Sequence, residues 1–342
     1  MNGTADTLIA FCDGPDRTCA EKGRAFATFL KAALPTFGSW RSALRLWSVE
    51  SPMHDADLIN ARMAFAGALP ERVICVGVDA ATRLMHLHKS VLLFDAPEQF
   101  TATFGAQPEA SAYLAAVHAL RYSTRCICLD EHSASFADNL GVEGPLNLTI
   151  PAIPPLVPRE PVTPDAVLVF DHLGDPALLE AVRQSVAAAM PERTILLVEA
   201  AWDGLCGEEK TQAYGQSSSL LTRVSPYSNE AHRGEVHVHI GTERWPRLGE
   251  RIIDSLASQR PVVVLLPAPG SARQAEARRE PSIENEIDGL VVSSVRALTD
   301  ALGLLRRDPF MGQLLARNAA RRVQAVNRET MTAMAEALTT HH

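Results

Sequence analysis

Two histidine pairs and several groups of loop charges are the side chains of this chain best suited to bind or react. His86 with His88 and His237 with His239 are H-x-H pairs, and residues two apart share one face of a strand, so each pair can present two imidazoles together. Two ligands do not complete a zinc site and no C-x-x-C accompanies them, so no bound metal is expected. The serine-rich run Gly215–Ser219 is not a G-x-S-x-G elbow, which sets hydrolase chemistry aside. Asp13, Gly14, Arg17, Lys22 and Gly23 follow the first apolar run, where a ligand loop would lie. Arg17 and Lys22 either meet phosphate there or are ordinary solvated charges. No G-x-G-x-x-G is present, so a dinucleotide fingerprint is absent. A further basic group, Arg273, Arg278 and Arg279, sits on a polar loop late in the chain.

These residues must be positioned by alternating strands and helices. The apolar runs Thr7–Cys12, Arg45–Val49, Arg72–Gly77, Ser90–Asp95 and Cys126–Asp130 read as strands, with helices at about 23–34 and 110–120. Such alternation argues for a parallel sheet covered on both faces, Rossmann-like in its first half. A proline-rich stretch, LTIPAIPPLVPREPVTP, then reads as a semi-rigid linker. The pattern restarts with strands at Ala166–Phe170, Thr194–Val198, Val236–Ile240, Pro261–Leu266 and Leu290–Val292, and with helices at 176–189 and about 248–258. Ser293 and Ser294 cap a helix carrying Val295, Leu298, Leu302 and Leu305 at helical spacing, which Asp308–Pro309 ends. The next helix is expected to turn Leu314, Leu315, Ala319 and Val323 inward and Arg317, Arg321 and Arg322 to water. A last apolar stretch after Arg328, with Met331, Met334, Ala335 and Leu338, reads as a helix that packs into a core.

With 342 residues and 46% hydrophobic content the chain can bury two sizeable cores. Its net charge of −8, with both signs mixed along the sequence, offers no basic field for a nucleic-acid backbone. No signal peptide is indicated and no apolar run is long enough to span a bilayer. The six cysteines (Cys12, Cys19, Cys75, Cys126, Cys128, Cys206) lie mostly within apolar runs, as expected of small buried hydrophobes kept reduced in the cytoplasm.

The stretch Ile283–Val323, with IENEIDGLVV, a "LGLLRRDP" helix and the "ARRV" helix, resembles the C-terminal end of retaining glycosyltransferases of the GT-B fold, family 4 or group 1. Upstream, His237–Pro267 (HVHIGTERWPRLGERIIDSLASQRPVVVLLP) is similar to that family's "E.FG…EAMA.G.PVV" segment. The resemblance spans about residues 140–325 and is carried more by apolar than by polar positions. It implies two Rossmann-like doubly wound parallel-sheet domains facing each other across a cleft. The expected division is 1–150 on the acceptor side, a linker at 151–164, a nucleotide-sugar domain at 165–325, and a C-terminal helix at 326–342 packing back on the first domain.

By the same resemblance the protein is a metal-independent, hexosyltransferase-type enzyme. It needs no cofactor and uses a nucleotide sugar as substrate, with a glycan, lipid-linked or other small acceptor; peripheral membrane contact is part of that expectation. Asp254 falls on the family's ribose-binding glutamate and Gly249 on the glycine of its "FG". Pro246 stands at the other glutamate, where Glu243 or Glu250 substitutes if the loop is shifted, and Gln259 replaces the helix-terminal glycine. The family's basic residues after the first strand of the second domain are absent from VFDHLGDPALLEAV, leaving His172 and Gly174, with Arg273 as a replacement cation. In the first domain Phe94 stands at the "vHD" histidine and Asp95 is kept, as an acceptor for a sugar hydroxyl or as a turn cap. Asp13, Gly14 and Arg17 belong to the acceptor-side loop. The losses define the alternative, a catalytically inactive GT-B-shaped binding or scaffold protein.

Overall fold

The computed structural model describes residues 6–13, 17–36, 43–50, 72–84, 90–94, 110–129, 131–142, 145–148, 162–171, 173, 175–198, 222–224, 229–241, 248–267 and 283–339. By its contacts the chain divides into two units, Met1–Pro151 with Arg328–His342, and Ala152–Asn327.

The first unit is built on a six-stranded sheet of parallel strands: β1 (Asp6–Asp13), β2 (Ala43–Glu50), β3 (Arg72–Val76), β4 (Ser90–Phe94), β5 (Arg125–Cys128) and β6 (Leu146–Asn147), in the order β2-β1-β3-β4-β5-β6. Its helices are α1 (Arg17–Ala33), α2 (Val78–Leu84), α3 (Ala110–Tyr122) and α4 (Glu131–Asn139). Alternation along each strand sends residues to opposite faces. Leu8, Ala10, Val73, Cys75, Leu92, Cys126 and Cys128 share one core with Ala81, Leu84, Ala116, Ala119 and Ala137 of the helices. α1 packs against β1. Gly77 joins β3 to α2 at φ 85°, a backbone conformation that favours glycine, and donates to Leu93 O. Cys75, Cys126 and Cys128 are buried and joined in no disulfide, and the Cys126 thiol is pushed strongly up by its hydrogen bond with Cys128 and by burial.

The second unit repeats the plan. Its strands are β7 (Ala166–Asp171), β8 (Thr194–Val198), β9 (Thr222–Val224), β10 (Gly234–Ile240), β11 (Val262–Leu265) and β12 (Leu290–Val292), all parallel, in the order β12-β11-β10-β7-β8-β9. All six residues of β7 are buried, which is why the run reads as continuously apolar rather than alternating. Val167, Val169, Val238 and Val263 form one core with Leu179 and Val182 of α5 (Pro176–Ala189) and Leu298 and Leu302 of α7 (Val295–Arg307). α5 and α7 touch, with Ser185 Oγ 2.7 Å from Thr299 Oγ1. On the opposite face Val262 and Val264 pack with Ile252 and Leu256 of α6 (Leu248–Ala257) and with Ala319 and Val323 of α8 (Pro309–Thr339). Ser294 caps α7 by accepting from Ala297 N, and Asp308 separates α7 from α8.

Three details of α8 correct the sequence reading. Leu314 is 42% exposed, whereas Leu315, Ala319 and Val323, one helical turn apart, make the buried stripe. Arg322 does not simply face water, because its Nη1 donates to Asp288 Oδ2 at 2.7 Å. No break occurs near Arg328 either, and one helix runs to Thr339. Within the first unit its end is held by Arg125 donating to Ala337 O, while Met331, Met334, Ala335 and Leu338 are buried. The proline-rich segment lies mostly outside the described residues. None of the described helices is long and apolar enough to cross a membrane.

Candidate functional site

Ligands of doubly wound sheets bind beyond the carboxyl ends of the strands, where connections leave in opposite directions. The second sheet has this reversal between β7 and β10, because β7 leads to β8 on one side and β10 to β11 on the other. Counted within the unit, its order is the 3-2-1-4-5-6 of mononucleotide-binding pairs. Asp171 and Ile240 are register partners at the lip of this crevice, and Gly241 follows. In the first sheet the reversal falls between β1 and β3, which puts Asp13, the last residue of β1, at its edge.

Around the β7–β10 crevice the structure is specific. Asp171, 1% exposed, accepts from Leu173 N at 3.0 Å and so turns the chain sharply after β7. Asp175 then caps α5, accepting from Ala177 N at 2.9 Å and Leu178 N at 3.2 Å, with Pro176 at the first helical position. The described part of this lip therefore carries two carboxylates and no cation, and two amides at the α5 N-terminus are occupied. Asp171 was not singled out from the sequence, where VFD reads as the end of an apolar run.

On the β10 side, α6 holds three of the proposed donor residues. Gly249 and Glu250 lie in its first turn, and Asp254 is part-exposed one turn beyond Glu250. Beside Asp254, Ser255 is buried and bonds His239 Nε2 at 2.8 Å, tethering the helix to β10. The His239 ring stacks on Phe170 with centroids 4.2 Å apart and planes 7° apart. Gln259 ends the helix at φ 58°, the left-handed conformation that a glycine at this place would supply.

His237 and His239 do share a face, yet they differ in kind. His237 is 2% exposed, lies 5.5 Å from the Phe170 ring, and neither of its ring nitrogens has a hydrogen-bond partner. Burial, with the nearby Arg260 guanidinium, pulls its pKa down to about 3. Among the described residues no group of three or more His, Cys, Asp or Glu side chains is placed to hold a metal ion.

Gly14, Asp95, His172, Gly174, Arg273 and the pair His86 and His88 lie outside the described residues, as do Pro246, Arg278 and Arg279. Arg17 is the first residue of α1. The structure thus brings Gly249, Glu250 and Asp254 together on one helix and places Asp13 in the other sheet.

No family model matches the chain, and no curated protein matches it. Among solved structures it is similar to TarM, at 12% identity and TM-score 0.47 over 79% of this chain and 55% of TarM, so that it spans about half of TarM's length. It is also similar to a UDP-GlcNAc 2-epimerase from Neisseria meningitidis bound to UDP-GlcNAc, at 9% identity and TM-score 0.43 over 95% of this chain and 100% of the other. A third similarity is to the glycotransferase of kitacinnamycin, at 15% identity and TM-score 0.40 over 97% and 98% of the two chains. Likeness this distant carries no assignment of activity; the strand orders themselves give the chain two doubly wound parallel α/β sheets.

Proposed function

We propose that the second unit binds a nucleotide sugar at the carboxyl ends of β7 and β10, and that the protein is a metal-independent glycosyltransferase acting on a glycan, lipid-linked or other small acceptor. The observation that carries this reading is the reversal of strand order between β7 and β10, with α6 rising from the β10 side. In this reading the Asp254 carboxylate accepts from the ribose hydroxyls. The first amides of α6, at Leu248 and Gly249, meet the diphosphate. Asp95, with Asp13 at the end of β1, Gly14, and Arg17 at the start of α1, serves the acceptor. Catalysis rests on positioning and on stabilising charge at the departing diphosphate.

A second reading, an inactive binding or scaffold protein, is favoured by the carboxylates of Asp171 and Asp175 at the lip where a diphosphate would need cations. One experiment separates the two. UDP, GDP, CMP and their common sugars are screened by thermal shift and calorimetry, followed by product assay with the donor that binds. A saturable shift that Asp254→Ala removes, with release of the nucleotide on adding acceptor, is the expected result. Absence of binding by every nucleotide would overturn the transferase reading, and binding without turnover would favour the scaffold.

A further inference from the structure

The opposite, amino end of the second sheet holds a concavity of about 390 Å³ that no motif accounts for. It is lined by the residues entering β8, β10 and β11 and by the junction of α7 with α8, all within the second unit. Three arginines line it, Arg193, Arg260 and Arg306.

Their neutralisation is unequal. Arg193 is ion-paired with Glu235, and Glu192, exposed at the rim, adds its field to the same arginine. Both carboxylates of the lining therefore serve one cation. Arg306 donates to a neutral carbonyl, Ala189 O, at 3.3 Å. Among the described residues Arg260 makes neither a hydrogen bond nor an ion pair, and its field reaches the buried, unpartnered His237. Two arginines, Arg260 half-buried and Arg306 exposed, thus line one cleft without a carboxylate partner of their own, an arrangement that a bound anion relieves.

The remaining chemistry narrows the class. A guanidinium fork matches phosphate oxygens in a bidentate manner. Gln259 and Gln313 offer amide groups suited to hydroxyls, and the volume sits at the lower end of small-molecule sites, which run from about 300 to 1,000 Å³. The lining contains no serine, threonine, cysteine, lysine or histidine, so it offers no ready nucleophile. We infer that this cleft is a binding site for a small organic phosphate, separate from the nucleotide site at the other end of the sheet, and that it holds its ligand without turning it over.

The test is titration calorimetry of the full chain with inorganic phosphate, glycerol 3-phosphate and glucose 6-phosphate at fixed ionic strength. Saturable one-to-one binding of at least one of the organic phosphates is expected. Arg260→Met and Arg306→Met should each weaken it tenfold or more, and Gln313→Trp, at an exposed helix position, should block the cleft. Melting curves of each variant establish that it is folded. Asp254→Ala should leave this binding intact, which keeps the outcome distinct from that of the nucleotide screen. Absence of saturable binding by the organic phosphates, binding that survives both Arg260→Met and Gln313→Trp, or binding lost with Asp254→Ala would each overturn the inference.

Discussion

Asp288 and Arg322 are joined across 34 residues of sequence by a 2.7 Å ion pair in which the Asp288 side chain is 3% exposed and the arginine 29%. Asp288 also accepts from Glu284 N at 2.7 Å, so one carboxylate both closes the turn before β12 and ties it to α8. The turn is tight enough that a Cβ on Gly289 would collide with Ile283 and approach Val262 O. Asp288→Ala should destabilise the protein by about 2–3 kcal/mol in urea unfolding, because a part-buried amide and a guanidinium both lose their acceptor. Asp288→Asn, which keeps an acceptor, should cost less. Equal losses would mean that a neutral acceptor recovers nothing and that the charge carries the whole contribution.

His237 makes stability depend on acid. Its folded pKa is pulled down to about 3 from an ordinary 6.5. Between these values the unfolded chain takes up a proton that the folded chain refuses, so stability is full above pH 6.5 and declines as the pH falls. The decline from this residue alone approaches about 1.4 kcal/mol per pH unit. His237→Leu should flatten the curve of unfolding free energy between pH 6.5 and 4 relative to the unsubstituted protein. Parallel curves would show that the ring is not held neutral.

Gln259 occupies the left-handed region at the end of α6. Gln259→Gly should stabilise the protein by about 0.5–1 kcal/mol, since the strain relieved exceeds the added freedom of the unfolded chain. A lower melting temperature would show that the glutamine side chain contributes more than its backbone costs.

Ser255→Ala removes the hydroxyl that meets His239 Nε2 in the core. A loss of about 1–3 kcal/mol in denaturant unfolding is expected, the range for a buried group that loses its partner. Retention of full stability would place the anchorage of α6 in its apolar contacts alone.

The strand cores were legible because a strand buried on both faces must be written in Val, Leu, Ile and Ala without interruption, as in Ala166–Phe170 and Val262–Leu265. The edge strands Leu146–Asn147 and Thr222–Val224 were not, since two or three residues are made strand by their neighbour rather than by their own pattern. Glu131–Asn139 hid its helix in a polar composition with few apolar positions. At the candidate site, Gly249 and Asp254 were singled out by the resemblance of their stretch to a family segment, and the structure places both on α6. Asp171 escaped because its burial and its bond to Leu173 N arise from a turn that the sequence does not spell. The period of two correctly put His237 beside His239, but it says nothing of what surrounds each ring, and only the structure separates the bonded imidazole from the unpartnered one.

The strand order of the second sheet bears on how it assembles. Its central pairing joins Ala166 to Gly234 and Phe170 to His239, partners far apart in sequence, whereas β10 with β11 and β11 with β12 connect through shorter excursions. Closing the long excursion costs chain entropy before any contact rewards it. The seam between β7 and β10 is therefore expected to set the folding rate, and truncations at Val169 and Val238 should slow refolding while those at Val291 chiefly speed unfolding. The crevice that would receive a ligand opens at the end of that seam, so the place where chemistry is expected lies along the contact on which folding of the unit waits.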